Sequence, residues 1–315
     1  MNLITTTDTS SRRVAAVGMY DGVHEGHRYL IDFLCLEGRH RGLRPAVVTF
    51  SRHPLSVLRP DEAPQLLTTL RDRVEQLSAA GAEDVILLSF SDALRRMSAE
   101  EFIKTLRREF AIDALVVGFN NNLGHDRVNS AEKFREIGER TGVEVIMAPE
   151  FAPKEIEGGI SSSAIRRALL EGRPEVAARL LGHPFAVEGK VVRGNHLGAS
   201  LGFPTANVSL VDPALILPAT GAYAAYVTTP DGIRRPAMVN IGFRPTVAHT
   251  MPEAEKAPGV LSVEAHIIDY SGYLYDDNVK IEFVGRLRGE RKFKSTSELA
   301  SQLASDREAA RKLLS

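Results

Sequence analysis

Val14-Ala15-Ala16-Val17-Gly18-Met19-Tyr20-Asp21-Gly22-Val23-His24-Glu25-Gly26-His27-Arg28-Tyr29-Leu30 is the stretch whose reading decides the fold. Val14 to Val17 reads as a buried strand, and Leu30, Phe33 and Leu34 recur at helical spacing, so strand, loop and helix follow one another. The loop holds three glycines and two histidines three residues apart. Glycine lets backbone approach a ligand closely, and a helix N-terminus offers unpaired N–H groups at the positive end of its dipole. Gly18, Asp21, Gly22 and Gly26, with His24 and His27 as donors, are therefore candidates for holding the phosphates of a nucleoside triphosphate, without the lysine of a P-loop. On residue types alone, a plain glycine-rich turn with a structural histidine is the alternative.

Outward from this unit the chain keeps alternating. Ala46 to Phe50, Val85 to Leu88, Leu115 to Gly118 and Val143 to Ile146 read as strands apolar throughout. Between them, Thr68 to Ala80 reads as a helix closing at Gly81, and Ser98-Ala99-Glu100-Glu101 is a capping box that opens another. This pattern predicts a mostly parallel sheet covered on both faces, with the loops after the strands gathered on one edge. Three such loops stand out: Ser51 to Leu55, polar and basic; Phe119 to Arg127, with Asn120, Asn121 and Asn122 in a row; and Ile160 to Leu169, where Ser161, Ser162 and Ser163 precede a helix carrying Arg166. Serine hydroxyls and N–H groups at a helix start suit phosphate oxygens.

Beyond Leu181-Gly182-His183-Pro184 the period changes, which puts a domain boundary at 183 and predicts domains over 1–183 and 184–315. Ala222–Thr228, Pro236–Ile241, Leu261–Asp269 and Asn278–Leu287 read as strands without intervening helices, with a turn at Pro230-Asp231-Gly232, so an antiparallel sheet or small barrel is expected, followed by a helix over Ser297–Leu314. Gly194, Gly198 and Gly202 space a loop able to fold over a polyphosphate, and Thr205 and Asn207 supply oxygens suited to a hard cation such as Mg²⁺. Glu264 on a half-exposed strand is, by itself, as well explained as a solvated residue.

These motifs resemble a known family. Gly18-x-Tyr20-Asp21-Gly22-x-His24-x-Gly26-His27 and Ile160-Ser161-Ser162-Ser163-x-Ile165-Arg166 are similar to the nucleotidylyltransferase signatures of the bacterial bifunctional riboflavin kinase/FMN adenylyltransferase (FAD synthetase) family. Leu201-Gly202-Phe203-Pro204-Thr205-Ala206-Asn207, Asn240 to Thr246, Val263-Glu264-Ala265-His266 and Arg288 to Phe293 resemble its riboflavin kinase signatures. The resemblance implies an α/β chain: an N-terminal Rossmann-like nucleotidylyltransferase domain, then a C-terminal antiparallel β-barrel ending in a helix. It implies ATP, riboflavin and FMN as substrates and Mg²⁺ as the metal. By the same resemblance Glu264 is the general base of phosphoryl transfer, while His24, His27 and Arg166 stabilise charge in adenylyl transfer. Asn120, Arg288 and Glu290 lie near the flavin. The chain departs from the pattern at Asn121 and Leu123, where the family has aromatics, at Leu197 and Ala199, where it has arginines, and at Asp276, where it has glycine. Loss of the arginines implies a higher ATP requirement. A kinase with a degenerate first half and a non-enzymatic flavin- or nucleotide-binding protein are the alternatives.

Composition bounds the rest. With 315 residues, about two domains are expected. Lys+Arg (39) and Asp+Glu (40) nearly cancel, which leaves no electrostatic footprint for nucleic acid or an anionic membrane. The single cysteine, Cys35, rules out an intrachain disulfide and, with a polar Met1 to Arg13 and no long apolar run, points to the cytoplasm.

Overall fold

A computed structural model of the chain describes residues 1–118, 121–151, 159–194, 197–243 and 261–315, and for Leu197 the backbone only. Contacts divide it into two compact units, Met1–Ser161 and Ser162–Ser315. The sequence expectation had put the division at 183; contacts group the two helices of 162–181 with the second unit.

The first unit runs β1 (Asn2–Ile4), β2 (Arg13–Val17), α1 (Glu25–Arg41), β3 (Arg44–Phe50), α2 (Pro54–Leu58), α3 (Leu70–Ala79), β4 (Asp84–Leu88), α4 (Asp92–Arg96), α5 (Ala99–Phe110), β5 (Ile112–Val117), α6 (Ala131–Thr141) and β6 (Glu144–Met147). The six strands form one parallel sheet in the order β1-β4-β3-β2-β5-β6. Two apolar clusters cover its faces, one around Phe102, Ile103, Leu106 and Phe134, the other around Ile31, Leu34, Val74 and Leu77. The sheet is doubly covered, as the unbroken apolar strands require. The capping box at Ser98 and Glu101 forms as expected. Two elements lie outside the expectations. The polar N-terminus contributes the edge strand β1, too short to show a period, and the loop after β3 folds into the single-turn helix α2.

At the N-terminal end of the sheet a buried ion network ties four strands together, β1 to β4. Arg13 and Asp84 are both sealed from solvent, and the Arg13 Nε–H donates to Asp84 at 2.7 Å. Arg44 and Asn2 donate to the other oxygen, each at 2.9 Å, and Arg13 also donates to the carbonyls of Asp8 and Phe110. Burial raises the Asp84 carboxyl, but the donors Arg44, Arg13 and Asn2 outweigh it and hold it below the usual range.

The second unit opens with α7 (Ser162–Leu170) and α8 (Pro174–Leu181), then β7 (Phe185–Val192), α9 (Leu197–Ser200), β8 (Ala206–Leu210), β9 (Gly221–Thr228), β10 (Arg234–Phe243), β11 (Leu261–Ile267), β12 (Asn278–Gly289) and α10 (Thr296–Leu314). Its strands close into an antiparallel barrel in the order β10-β11-β8-β7-β12-β9. Period-two alternation divides the side chains. Tyr223, Ala225, Val239, Val263 and Ala265 form one buried set, while Ala224 and Met238 on the opposite face pack with Phe203, Ile268 and Ala310 of α10. The turn at Pro230 to Gly232 joins β9 to β10 as expected, with Gly232 at φ 77°. Asp276, on the family's glycine position, takes φ 68° and pairs with Lys190 at 2.8 Å.

Replacing Asp84 by Asn removes the buried counter-charge on Arg13 Nε and leaves only the half-exposed Asp8 carboxylate, 2.6 Å from the other end of the guanidinium, so the first unit is expected to lose about 3 kcal/mol, the low end for breaking a buried pair. Urea unfolding at neutral pH measures it. Because the folded carboxyl titrates below its unfolded value of about 3.9, the wild-type contribution is complete above that pH and disappears as pH falls through the lower folded value, so the wild-type advantage over Asp84→Asn should shrink in acid.

Candidate active sites

The first site is built at the C-terminal end of β2. Tyr20, Gly22 and Val23 all take positive φ (52°, 84° and 36°), so the turn that joins strand to helix is tightly coiled. Gly22 occupies that region without strain; Val23, β-branched, does not. Asp21 holds the turn in place. Its buried carboxylate accepts the Leu67 and Thr68 N–H groups (3.0 and 3.1 Å) and the Thr68 hydroxyl (3.2 Å), and the Gly22 N–H donates to that same hydroxyl oxygen (3.2 Å). A carboxylate so occupied fixes the loop; facing a triphosphate it would repel it. From below, Thr49 and Arg73 both donate to the Met19 carbonyl at 3.1 Å, and Arg73 reaches the Phe50 carbonyl at 2.7 Å. Gly18 lies under the Tyr20 ring, and a Cβ there would sit 3.0 Å from it.

His24 is the N-cap of α1. The His27 N–H donates to its Nδ1 at 3.2 Å, so the neutral ring carries its proton on Nε2, the atom left to donate to a ligand. The two imidazoles stack 3.6 Å apart at 12°, with Tyr20 edge-on to His27. Burial pushes His24 down to about 4 against a backbone hydrogen bond that favours its charged form. His27 is lowered further, by burial first and by His24 second. Both rings are neutral donors at neutral pH. Gly26 follows in the first turn, its open face bordered by His24 and by Phe151, which stacks on Tyr29 at 4.8 Å.

Ser161 ends this unit; Ser162, Ser163 and Arg166 lie on α7 in the second, with Arg166 half-buried. Asn120 lies outside the described residues, as do Asn195, His196 and 244–246. Asn121 donates to the Val17 carbonyl at 3.3 Å, and Leu123 is a core residue.

The second site lies across β10, β11 and β8. Strand register aligns Asn240, Glu264 and Asn207 in one row, on the face opposite the buried set. Glu264 and Asn240 line a cavity of about 220 Å³ with Thr205, Gly198, His266, Arg288, Glu290, Phe293 and Asp306. A second cavity, of about 330 Å³, opens beside the alternate residues Ala265 and Ile267 and is rimmed by Tyr270, Tyr273 and Tyr275. Thr205 lines both. Arg288 is fixed by Asp306 of α10 at 2.9 Å and lies over the Phe293 ring. Gly194 lies against Asn207: a Cβ there would come within 1.9 Å of the amide nitrogen. Gly198 is tucked under the Phe203 carbonyl, and Gly202 takes φ 81° with open space about it. Among the described residues no group of three or more His, Cys, Asp or Glu is placed for a metal ion. The Thr205 and Asn207 oxygens beside Glu264 are instead a sparse hard-donor set, suited to a cation that brings most of its ligands with it.

Sequence reasoning passed over Arg73, Asp306 and the capping role of His24. Arg73 sits among apolar helix positions and Asp306 eighteen residues from its partner; only His24, directly before a helix, carried a local signal.

Two family models match in chain order: FAD synthetase over residues 6–164 and riboflavin kinase over 181–314. The bifunctional riboflavin kinase/FMN adenylyltransferase of Escherichia coli (strain K12) is 35% identical over 301 residues, covering 95% of this chain and 91% of the relative. The chain belongs to the bifunctional riboflavin kinase/FMN adenylyltransferase family. The Bacillus subtilis (strain 168) member is 32% identical over 305 residues, 96% of this chain and 93% of its own. A crystal structure described as a macrolide-efflux protein from Streptococcus pneumoniae shares the fold over 98% of both chains, with a TM-score of 0.86 and 30% identity. No helix among the described residues is long and apolar enough to cross a membrane.

Two outcomes are expected of this bifunctional-family chain. In a ring-proton titration followed by NMR, His24 changes charge near 4; a midpoint near the ordinary value of about 6.5 would contradict the buried, neutral pair. Gly194→Ala forces the Asn207 side chain aside, and riboflavin phosphorylation should fall by roughly ten- to hundredfold in steady-state assays while adenylylation of supplied FMN persists.

Proposed function

We infer that the chain carries out two successive ATP-dependent steps of flavin cofactor synthesis, phosphorylating riboflavin to FMN in its barrel unit and adenylylating FMN to FAD in its first domain, with release of pyrophosphate. The observation that carries the kinase step is the row Asn240, Glu264 and Asn207, with Thr205 at the border of two cavities. We assign riboflavin to the cavity holding Glu264, Arg288 and Glu290, and the adenine of ATP to the cavity ringed by tyrosines, whose faces suit a planar heterocycle. Glu264 accepts the proton of the ribityl primary hydroxyl as the hydroxyl oxygen attacks the γ-phosphorus, the bond to the β–γ bridging oxygen breaks and ADP leaves, and Arg288, held by Asp306, orients the flavin. Thr205 and Asn207 hold Mg²⁺, with Gly194, Gly198 and Gly202 shaping the loop around them. When bound, the ion neutralises charge on the phosphate oxygens.

In the adenylyl step an FMN phosphate oxygen attacks the α-phosphorus of ATP. No protein nucleophile is required. His24 and His27 donate hydrogen bonds to the phosphates as neutral rings, and the α1 N-terminus at Gly26 adds its dipole; the family resemblance assigns the full positive charge to Arg166, with Ser161, Ser162 and Ser163 as further phosphate donors. Gly18, Asp21 and Gly22 maintain the turn that aims these donors. Asn120 meets the flavin. The chain works in the cytoplasm, and its partners are ATP, riboflavin and FMN.

Incubation with riboflavin, ATP and Mg²⁺, with FMN and FAD resolved over time, tests the reading. FAD should accumulate after FMN. The double variant His24→Ala, His27→Ala should lose FAD and keep FMN formation, whereas Glu264→Ala should slow FMN formation by roughly 10²–10⁴-fold and still convert supplied FMN. Loss of both products in either folded variant would defeat the division of labour.

A further inference from the structure

His266 sits two residues beyond Glu264 on β11, on the same face and in the same cavity, yet the chemistry above gives it no task. It is 7% exposed. Its Nδ1 lies 2.9 Å from the Pro204 carbonyl oxygen. A carbonyl only accepts, so Nδ1 carries the proton.

The residue after Pro204 is Thr205, and β8 starts one residue later, where Ala206 pairs with Ala265. Thr205 therefore precedes the barrel's hydrogen-bond ladder and takes its position from the turn that leads into it. That turn is gripped from three sides. The Phe203 N–H donates to the Gly198 carbonyl at 2.8 Å, and the Phe203 ring lies 5.3 Å from the Arg307 guanidinium of α10. The His266 ring meets Phe203 edge-on at 5.4 Å while its N–H holds the next carbonyl. Of these grips, only the last joins the turn to the strand that carries Glu264.

We propose that His266 is a positioning residue for Thr205: its Nδ1–H bond to the Pro204 carbonyl sets the Thr205 hydroxyl at the border between the two cavities, in fixed relation to Glu264. The barrel closes through its own strand pairing and does not need this bond; the alignment of the turn's Thr205 with Glu264 of β11 does. The inference rests on the kinase reading of the barrel.

Two substitutions separate the ring's nitrogens. Asparagine keeps an N–H near the δ position and deletes the ε end; glutamine does the reverse. In His266→Gln, kcat for FMN formation should fall by roughly ten- to hundredfold, and affinity for Mn²⁺ with ADP, measured by calorimetry, should weaken roughly tenfold. KM for riboflavin should move by no more than about twofold, because the Nδ1–H that glutamine fails to replace is committed to the Pro204 carbonyl and not to the flavin. His266→Asn should recover both quantities to within about threefold of wild type. Equal damage in the two variants with a raised riboflavin KM would overturn the proposal in favour of direct flavin contact, and a harmless His266→Gln would overturn it outright. If both variants unfold, ¹⁵N spectra of the wild-type ring decide: a proton on Nδ1 coupled to the Pro204 carbonyl supports the proposal, and a proton on Nε2 alone refutes it. Failure of the wild type to make FMN would instead sink the kinase reading on which this rests.

Discussion

Strand register is the constraint from which both sites follow. In the barrel, pairing of Asn240 with Glu264 and of Glu264 with Asn207 turns three residues, far apart in sequence, into one row. A slip of one residue would rotate Glu264 into the buried set and bring Ala265 to the cavity, since successive side chains point to opposite faces. In the first unit, parallel pairing of β2 with β3 and β5 brings their C-terminal ends to a common edge, where Gly18, Ser51 and Gly118 begin the loops. The buried ion network at the opposite end of that sheet holds β2, β3 and β4 at matching heights.

The two sites handle charge differently. The first relies on desolvated, neutral imidazoles and on backbone dipoles, with Arg73 as a buried cation beneath the turn whose own charge burial disfavours, partly offset by Asp21. Donors of this kind are set before the substrate arrives and need no solvent to reorganise. The second keeps formal charges in contact: Arg288 with Asp306, and Glu264 near polar neighbours at a cavity open to solvent.

Much of this was legible in the chain. Unbroken apolar strands separated by helices give a doubly covered parallel sheet, and a run of strands without helices gives a barrel. The motifs supply the residues proposed for both sites. What local reading missed has physical reasons. β1 has three residues, too few for a period. The anchoring bonds of Asp21 have no local signal because its partners, Leu67 and Thr68, lie 46 and 47 positions away. Gly194 looked like a hinge for ligand approach, but it is small because Asn207 fills the space beside it. Leu123, read as the loss of an aromatic contact, is spent in the core. In each case the deciding neighbour is distant in sequence and near in space.

The coiled turn at Tyr20 to Val23 has an evolutionary consequence. Non-glycine residues held at positive φ cost of order 1–3 kcal/mol each, and Tyr20 and Val23 are both such residues. Glycine at either position would relax the backbone but empty a fully buried site, since both side chains belong to the core beneath α1, and a cavity of that size costs about 2–5 kcal/mol, more than the strain it removes. Each of these two positions is therefore constrained twice, by a backbone that favours glycine and by a core that demands a large apolar side chain, and the core wins.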